Sequence, residues 1–423
     1  MTKKDTICVQ GSYQPNSGDP RVLPLVQSTT YYYETPEEMA HLFDHPKDGH
    51  IYSRISNPTV AEMESKITLL EGGVAAMACA SGMSAITLAV LTLATKGDNF
   101  ITTSQIYGGT YNLFKVTLPK MGIEVRFVDS DASEEEIEAQ IDDRTKFIFG
   151  EIIANPAMTV FNFEKFSKIC QKYQMVLMID NTLATPILCR PFEYGANVIV
   201  HSTTKYMDGH AGSVGGVVVD GGNFDYDQNK RYADFYTPDD SYHGLTYVDE
   251  GGSAAFALKA RMQFMRDIGA NISPFNAYLT NLGMETLHLR MQRHSENAQG
   301  LAEALQKHPM VDWVSYPGLP GNANEANAKR YLSGGYSGML TFGIKGGREK
   351  AAALIKELKI FKQVTHIADV RSCLLHPATT THRQLSNEDL EACGIPENLI
   401  RLSVGIEALE DLTEDLIGAL DKI

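Results

Sequence analysis

Short apolar runs alternate with amphipathic stretches from about residue 62 to residue 220: NFITT (99–103), EVRFVD (124–129), KFIFGEII (146–153), MVLMID (175–180), NVIVH (197–201) and GGVVVD (215–220). Runs of β-branched and aromatic residues without polar alternation suit strands covered on both faces, as in a parallel sheet with helical crossovers. The helical candidates NPTVAEMESKITLLEGG, SGMSAITLAVLTLA and NFEKFSKICQKYQ lie before or between them, so the pattern predicts an α/β fold. Residues 223–255, rich in Tyr, Asp and Gly, show no sustained period and predict a long connection of the kind that is functional in compact enzymes. Two or three helices are expected next, broken near Gly269 and Pro274. A second α/β stretch comes after them, with SGMLTFGI, an amphipathic helix over 348–358, the strand-like LIRLSVGIE and the acidic helix ALEDLTEDLIGALDK. The boundary between the two units is expected near residue 255.

A chain of 423 residues exceeds one ordinary core, and 43% hydrophobic residues suffice to fill two. The formal net charge of -15, from 37 basic against 52 acidic residues, argues against nucleic acid as a partner, because neutralising phosphates needs a basic surplus. The six cysteines, Cys8, Cys79, Cys170, Cys189, Cys373 and Cys393, form no CxxC pair and are expected to be reduced thiols of a cytosolic protein. The opening MTKKDTICVQGSYQPNSGDP lacks the apolar centre of a leader, and no later run is long enough for a membrane span. A cytoplasmic protein without membrane or metal partners is therefore expected.

The densest chemistry lies in VIVHSTTKYMDGHAGSVGGVVVD, residues 198–220. A lysine after a core strand is most often a snorkelling surface residue. Lys205, however, follows Ser202, Thr203 and Thr204 at the carboxyl end of a predicted parallel strand, where open α/β sheets bind ligands. Gly209, Gly212, Gly215 and Gly216 would let backbone pass close to a flat cofactor. Asp180 ends the strand MVLMID; it suits a turn cap, and it also suits a carboxylate that keeps a pyridinium nitrogen protonated. Ser81, Gly82 and Met83 open a strongly apolar helix, either as a simple N-cap turn or as a phosphate seat. Neither GxxxxGK[ST] nor the GxGxxG spacing is present, so nucleotide cofactors lose ground.

The motifs ASGMSAI, QIYGGTYNLF, ANPAM, MIDNTLATP, HSTTKYMDGHAG, HPATTTH and LIRLSVGIE occur in the order seen in the Cys/Met-metabolism family of fold-type I pyridoxal-phosphate enzymes, and the chain resembles that family over nearly its whole length. The resemblance implies a large domain with a mostly parallel, seven-stranded type of sheet and a smaller C-terminal α/β domain: an arm over 1–58, a cofactor domain over 59–255 and a C-terminal domain over 256–423. It implies pyridoxal 5'-phosphate as cofactor, with Lys205 as the lysine that carries it and Asp180 as the partner of its ring nitrogen. Tyr107 is similar to the tyrosine that stacks on the ring, with a catalytic part in assisting the leaving group or a proton transfer, and Asn155 to the asparagine near the ring oxygen. Ser81, Gly82, Met83, Ser202 and Thr204 resemble the phosphate cradle. Tyr52 and Arg54, in YSRISNPTV, match a pair that reaches into the neighbouring subunit's phosphate site, which implies at least a dimer and, in this family, a homotetramer. Arg401 resembles the arginine that clamps the substrate α-carboxylate through two parallel hydrogen bonds.

Within the family, γ-lyases, cystathionine synthases and sulfhydrylases share these residues. Gly109 stands where methionine γ-lyases carry a cysteine, and GHAG, with Ala211 and Gly212, where lyases usually end on aspartate. The segments from SYHGLTYVDEGGSAAF through LRMQRH and the opening GSYQPNSGDPRVLPLVQSTTYYYE resemble the sulfhydrylases, which implies γ-replacement on O-acetylhomoserine with sulfide; a methionine or cystathionine γ-lyase or a cystathionine γ-synthase is the alternative. EIIANP departs from relatives that often have a small residue and a proline, and His366 falls where relatives have serine or asparagine near the substrate carboxylate. A structural role is the commoner one for such a histidine, and it is left outside the expected catalytic set.

Overall fold

The computed structural model describes residues 2–45, 48–242, 244–381, 383 and 394–423. His243 and His382, which fall within the family motifs, and Cys393 lie outside the described residues. The first sheet has seven strands in the order β1-β7-β6-β5-β4-β2-β3. These are β1 (Ala75–Cys79), β2 (Asn99–Thr103), β3 (Glu124–Val128), β4 (Thr145–Glu151), β5 (Val176–Asp180), β6 (Val198–His201) and β7 (Gly216–Asp220). From β6 to β3 every pairing is parallel, and β7 alone runs antiparallel to both its neighbours. All six apolar runs read from the sequence are strands. The seventh, AAMAC, escapes the pattern because alanine has little β preference of its own; it is a strand because all five of its residues pair with β7.

Both faces of the sheet are covered, as the unbroken apolar runs predict. Ile148, Leu177, Ile179 and Ile199 point into one buried cluster, while Phe147, Phe149, Val176, Met178, Val198 and Val200 point into another. The side chains alternate along each strand, so two cores sandwich one layer of backbone. Helices α1 (Pro58–Glu71), capped by Asn57, and α2 (Gly82–Leu93), capped by Ser81, supply cover on either side.

Residues 223–255 are a connection of short helical turns, and part of it turns inwards. Tyr226, Tyr232, Phe235 and Tyr247 are buried in the second cluster, with Tyr226 stacked on Phe235 at 4.1 Å between ring centroids. Their aromatic area fills the core. The same cluster takes in Phe256, Leu258, Met262 and Met265, so the core of the large sheet recruits residues beyond 255. The helical region breaks where expected. Gly269 turns the chain at φ +77°, and Ser273 caps helix α3 (Pro274–Glu285) by accepting from the Asn276 amide.

Helix α4 (Leu287–Leu305) leads to a second sheet, β10-β11-β12-β9-β8, comprising β8 (Val311–Ser315), β9 (Met339–Ile344), β10 (Lys362–Gln363), β11 (Cys373–Leu375) and β12 (Leu399–Ser403). Its pairings are antiparallel except for β10 with β11. Leu340, Phe342, Ile400 and Leu402 pack with α5 (Gly347–Glu357) and α6 (Leu409–Leu420) in a third cluster. Among the described residues no helix is long and apolar enough to cross a membrane, and the five described cysteines are buried and unpaired.

Candidate active site

The neighbouring parallel strands β4, β5 and β6 end on Glu151, Asp180 and His201. The segments leaving these three strand ends therefore emerge together at one edge of the sheet, and a cavity lies there. It is lined by Ser81, Gly82, Met83, Tyr107, Asn155, Asp180, Ser202, Thr204, Lys205 and Arg401, which is every site residue expected from the sequence except Tyr52 and Arg54. Glu151, Ile153, Thr182, Thr365 and Ile367 complete much of the wall.

One end of the cavity is the start of α2. The Ser81 hydroxyl accepts from the Ser84 amide at 3.1 Å, which leaves the first amides of the helix facing outwards. A side chain at Gly82 would place its Cβ 2.6 Å from Ser202 Cβ, so the helix start and the turn after β6 meet only because residue 82 has none. Thr204 Oγ1 is tied to Gly215, whose amide donates to it at 3.1 Å.

Asp180 lies across from Glu151 in the β4–β5 register. The Thr182 amide donates to Asp180 Oδ1 at 2.9 Å, and the Tyr107 amide donates to Glu151 Oε1 at 2.6 Å. Burial raises both carboxyls above their ordinary range, and the charge of Asp180 raises Glu151 further. Behind them, His201 Nε2 lies 2.6 Å from Glu71 Oε1, and Asn181 Nδ2 donates to the same oxygen at 2.9 Å, which fixes the strand ends from below.

Lys205 sits in a tight turn, its amide reaching the Ser202 carbonyl at 3.3 Å and its carbonyl accepting from Gly209 at 2.8 Å. Burial, assisted by the Arg401 charge, brings its ammonium pKa down to about 8. The central residue of β12, Arg401, enters the same cavity from the second sheet. Its Nη1 donates to Asn155 Oδ1 at 3.3 Å, and its buried Nε has no hydrogen-bond partner among the described residues. His366 Nδ1 lies 3.3 Å from Lys205 Nζ.

A family model for Cys/Met metabolism PLP-dependent enzymes matches residues 5–421. The chain belongs to this family. It is 41% identical to the homocysteine synthase of Schizosaccharomyces pombe, over 99% of this chain and 98% of that one. It is 42% identical to the O-acetyl-L-homoserine sulfhydrylase of Leptospira meyeri, over 100% and 97% of the two chains. A Campylobacter jejuni protein, 38% identical, superposes with a TM-score of 0.95 over 99% of this chain and all of its own; its crystal structure carries N'-pyridoxyl-lysine-5'-monophosphate at its position 205.

The cofactor of this PLP-dependent enzyme is pyridoxal phosphate, and the cavity suits it on three observations. The helix start at Gly82, closed against Ser202, is a seat for an anion. Asp180, a carboxyl of raised pKa on the cavity wall, suits a protonated ring nitrogen as its partner. Lys205, depressed towards neutrality, is an amine suited to react with an aldehyde.

The remaining residues singled out in the sequence lie outside this cavity. Tyr52 and Arg54 are exposed, with the guanidinium 5.1 Å from the ring centroid, and they line separate surface cavities; the site expected for them is a neighbouring subunit's, not that of their own Lys205. None of Gly209, Gly212, Gly215 and Gly216 lines the cavity. Instead Gly216 backs onto the Ser81 carbonyl, where a Cβ would fall at 2.2 Å, and Gly209 packs under the Arg290 guanidinium. Ala211 and Gly212, read as a specificity clue, are exposed and outside the cavity. Glu151 was not among the expected site residues. Its signal is the one that marks Asp180, an acid ending a buried apolar run.

Proposed function

We propose that the protein catalyses γ-replacement, in which sulfide displaces acetate from O-acetyl-L-homoserine to give L-homocysteine for methionine and cysteine biosynthesis. The observation that carries this reading is the placement of Arg401 and Lys205 on one cavity. A buried guanidinium with an unsatisfied Nε fits an amino-acid carboxylate, beside a lysine depressed to about 8. The relatives named homocysteine synthase and O-acetyl-L-homoserine sulfhydrylase support the substrate and the sulfur donor. The lysine adduct of the Campylobacter protein supports the assignment of Lys205.

In this reading Lys205 carries the cofactor, Asp180 faces its ring nitrogen, Tyr107 covers the ring and Asn155 lies near the ring oxygen. Ser81, Gly82, Met83, Ser202 and Thr204 hold the phosphate. When bound, the cofactor supplies the carbonyl that takes up the substrate amine and the ring that receives electrons from a broken C–H bond. Arg401 fixes the carboxylate, which decides which C–H bond faces Lys205 Nζ. At neutral pH roughly a tenth of a lysine with this pKa is the free amine, enough for it to take a proton.

The exposed Tyr52 and Arg54 support an arm over 1–58 that serves a neighbouring subunit, ahead of a cofactor domain over 59–255 and a C-terminal domain over 256–423. The assembly is then a cytoplasmic homotetramer of dimers that share active sites. The deciding assay supplies O-acetylhomoserine with sulfide and, separately, methionine. Homocysteine from the first is expected; dominant 2-oxobutyrate from methionine would make the enzyme a γ-lyase.

A further inference from the structure

His366 belongs to no expected set, yet its imidazole is the side chain placed against the reactive amine. Nδ1 lies 3.3 Å from Lys205 Nζ, and the other ring nitrogen, Nε2, is buried without a hydrogen-bond partner among the described residues, 4.0 Å from Asp369 Oδ2. The loop is pinned at the histidine and just after it: the Cys373 thiol donates to the His366 carbonyl at 3.3 Å, and the Ala368 amide donates to Ser403 Oγ at 2.7 Å. Asp369 is held in turn by the Arg371 amide at 2.6 Å. An ammonium has no lone pair, so Nδ1 is the acceptor and the ring proton sits on Nε2, facing the Asp369 carboxylate.

From this geometry we propose that His366 is the proton-transfer partner of Lys205: Nδ1 takes up the proton that Nζ has drawn from the substrate, and later returns it. The proposal rests on the γ-replacement reading, which requires hydrogens to leave both Cα and Cβ. A base that keeps the first proton is not available for the second. Transfer along the 3.3 Å contact restores the neutral amine, the new imidazolium charge faces Asp369, and return of the proton when the product forms leaves the balance at zero. Burial and the charge of Lys205 hold the imidazole below its usual pKa, with Arg371 acting in the same sense and Asp369 and Asp208 opposing, so the ring is neutral near pH 7 and, being a weaker base than Nζ, holds the proton only in passing before returning it.

The test has two arms. In the first, the holoenzyme and its His366→Asn variant are incubated in deuterium oxide with L-norvaline, an amino acid without a leaving group, and exchange at Cα and Cβ is followed by proton NMR. Asparagine keeps an acceptor near Nζ but cannot take a proton. Cβ exchange is expected to slow about tenfold more than Cα exchange; equal slowing at both carbons, or none, overturns the proposal. The second arm uses no substrate. Diethyl pyrocarbonate modifies neutral imidazole, so the pH dependence of His366 labelling in the cofactor-free full chain, read by peptide mass, gives its midpoint. Lys205→Ala is expected to raise that midpoint by about one pH unit, and an unchanged midpoint overturns the pairing. Coupling that persists in an enzyme inactive on O-acetylhomoserine and sulfide rejects the substrate reading instead.

Discussion

Glu151 and Asp180 face each other from the carboxyl ends of adjacent parallel strands, two acids lining one cavity with raised pKa values. They divide the work by their partners. Glu151 Oε1 holds the Tyr107 amide, a role a neutral carboxyl fills, whereas in the proposed function Asp180 balances a ring cation. Glu151→Gln preserves an acceptor oxygen for that amide and is expected to keep kcat within about threefold. Asp180→Asn is expected to lower kcat at least ~100-fold while circular dichroism stays unchanged. Equal losses in the two variants would mean that Glu151 works as the anion.

Lys205 titrates near pH 8 in the cofactor-free protein, being an ammonium below and an amine above. Only the amine attacks an aldehyde. The rate at which pyridoxal phosphate attaches, read by absorbance, is expected to rise about tenfold per pH unit below 8 and to level off above it. Lys205→Ala is expected to yield no covalent adduct after borohydride reduction. A mass shift from an adduct on another lysine would move the assignment.

The strands that carry the site are legible in the chain because they are buried on both faces, which leaves unbroken runs such as MVLMID and NVIVH. AAMAC is not, since its strand character comes from pairing with β7 rather than from its alanines. Lys205 and Asp180 stand out as polar residues placed directly after or at the end of such runs. His366 lies 161 residues from the lysine it touches, on a loop with no local period, and no pattern along the chain links the two. Glycines announce close approach but not what approaches: Gly216 reads as cofactor clearance, while the atom it makes room for is the Ser81 carbonyl. Tyrosines in 223–255 are equally silent about their neighbours, because an aperiodic segment and an aromatic plug under a sheet have similar composition.

Arg401 presents a planar guanidinium whose Nη1 is oriented by Asn155. Lysine keeps the charge there but loses the two-pronged geometry. Arg401→Lys is expected to raise KM for O-acetylhomoserine roughly 10- to 100-fold, with a much smaller change in kcat. Steady-state kinetics at saturating sulfide separates the two; an unchanged KM rejects the carboxylate clamp.

Tyr107 rests in space that residue 109 leaves open. A Cβ on Gly109 would fall 2.5 Å from Tyr107 Cε1. The short helix Gly108–Asn112 holds residue 109 in place, so the ring has to rotate. Gly109→Ala is expected to lower kcat/KM about tenfold and to shift the absorbance of the bound cofactor, because the Tyr107 ring, which covers the cofactor in the proposed function, is displaced. Wild-type values for both would show that the ring adapts without cost.

Asp220, at the end of β7, is a buried acid away from the cavity, and its consequence is for stability. Its oxygens accept from the Gly222 and Ala257 amides, each at 3.0 Å, yet burial wins and raises its pKa from 3.8 to about 6. The folded protein therefore holds a proton that the unfolded chain has released between these values. Stability from this group is fully present below pH 3.8 and is lost as pH rises through 6, by roughly 3 kcal/mol in all. Asparagine at 220 cannot titrate, so Asp220→Asn abolishes that slope, at a fixed cost of about 1–3 kcal/mol because its amide group meets a backbone N–H. Urea unfolding of both proteins between pH 4 and 7 measures the difference. It is expected to shrink as pH rises, and a gap that stays constant or widens would show that Asp220 is ionised in the fold.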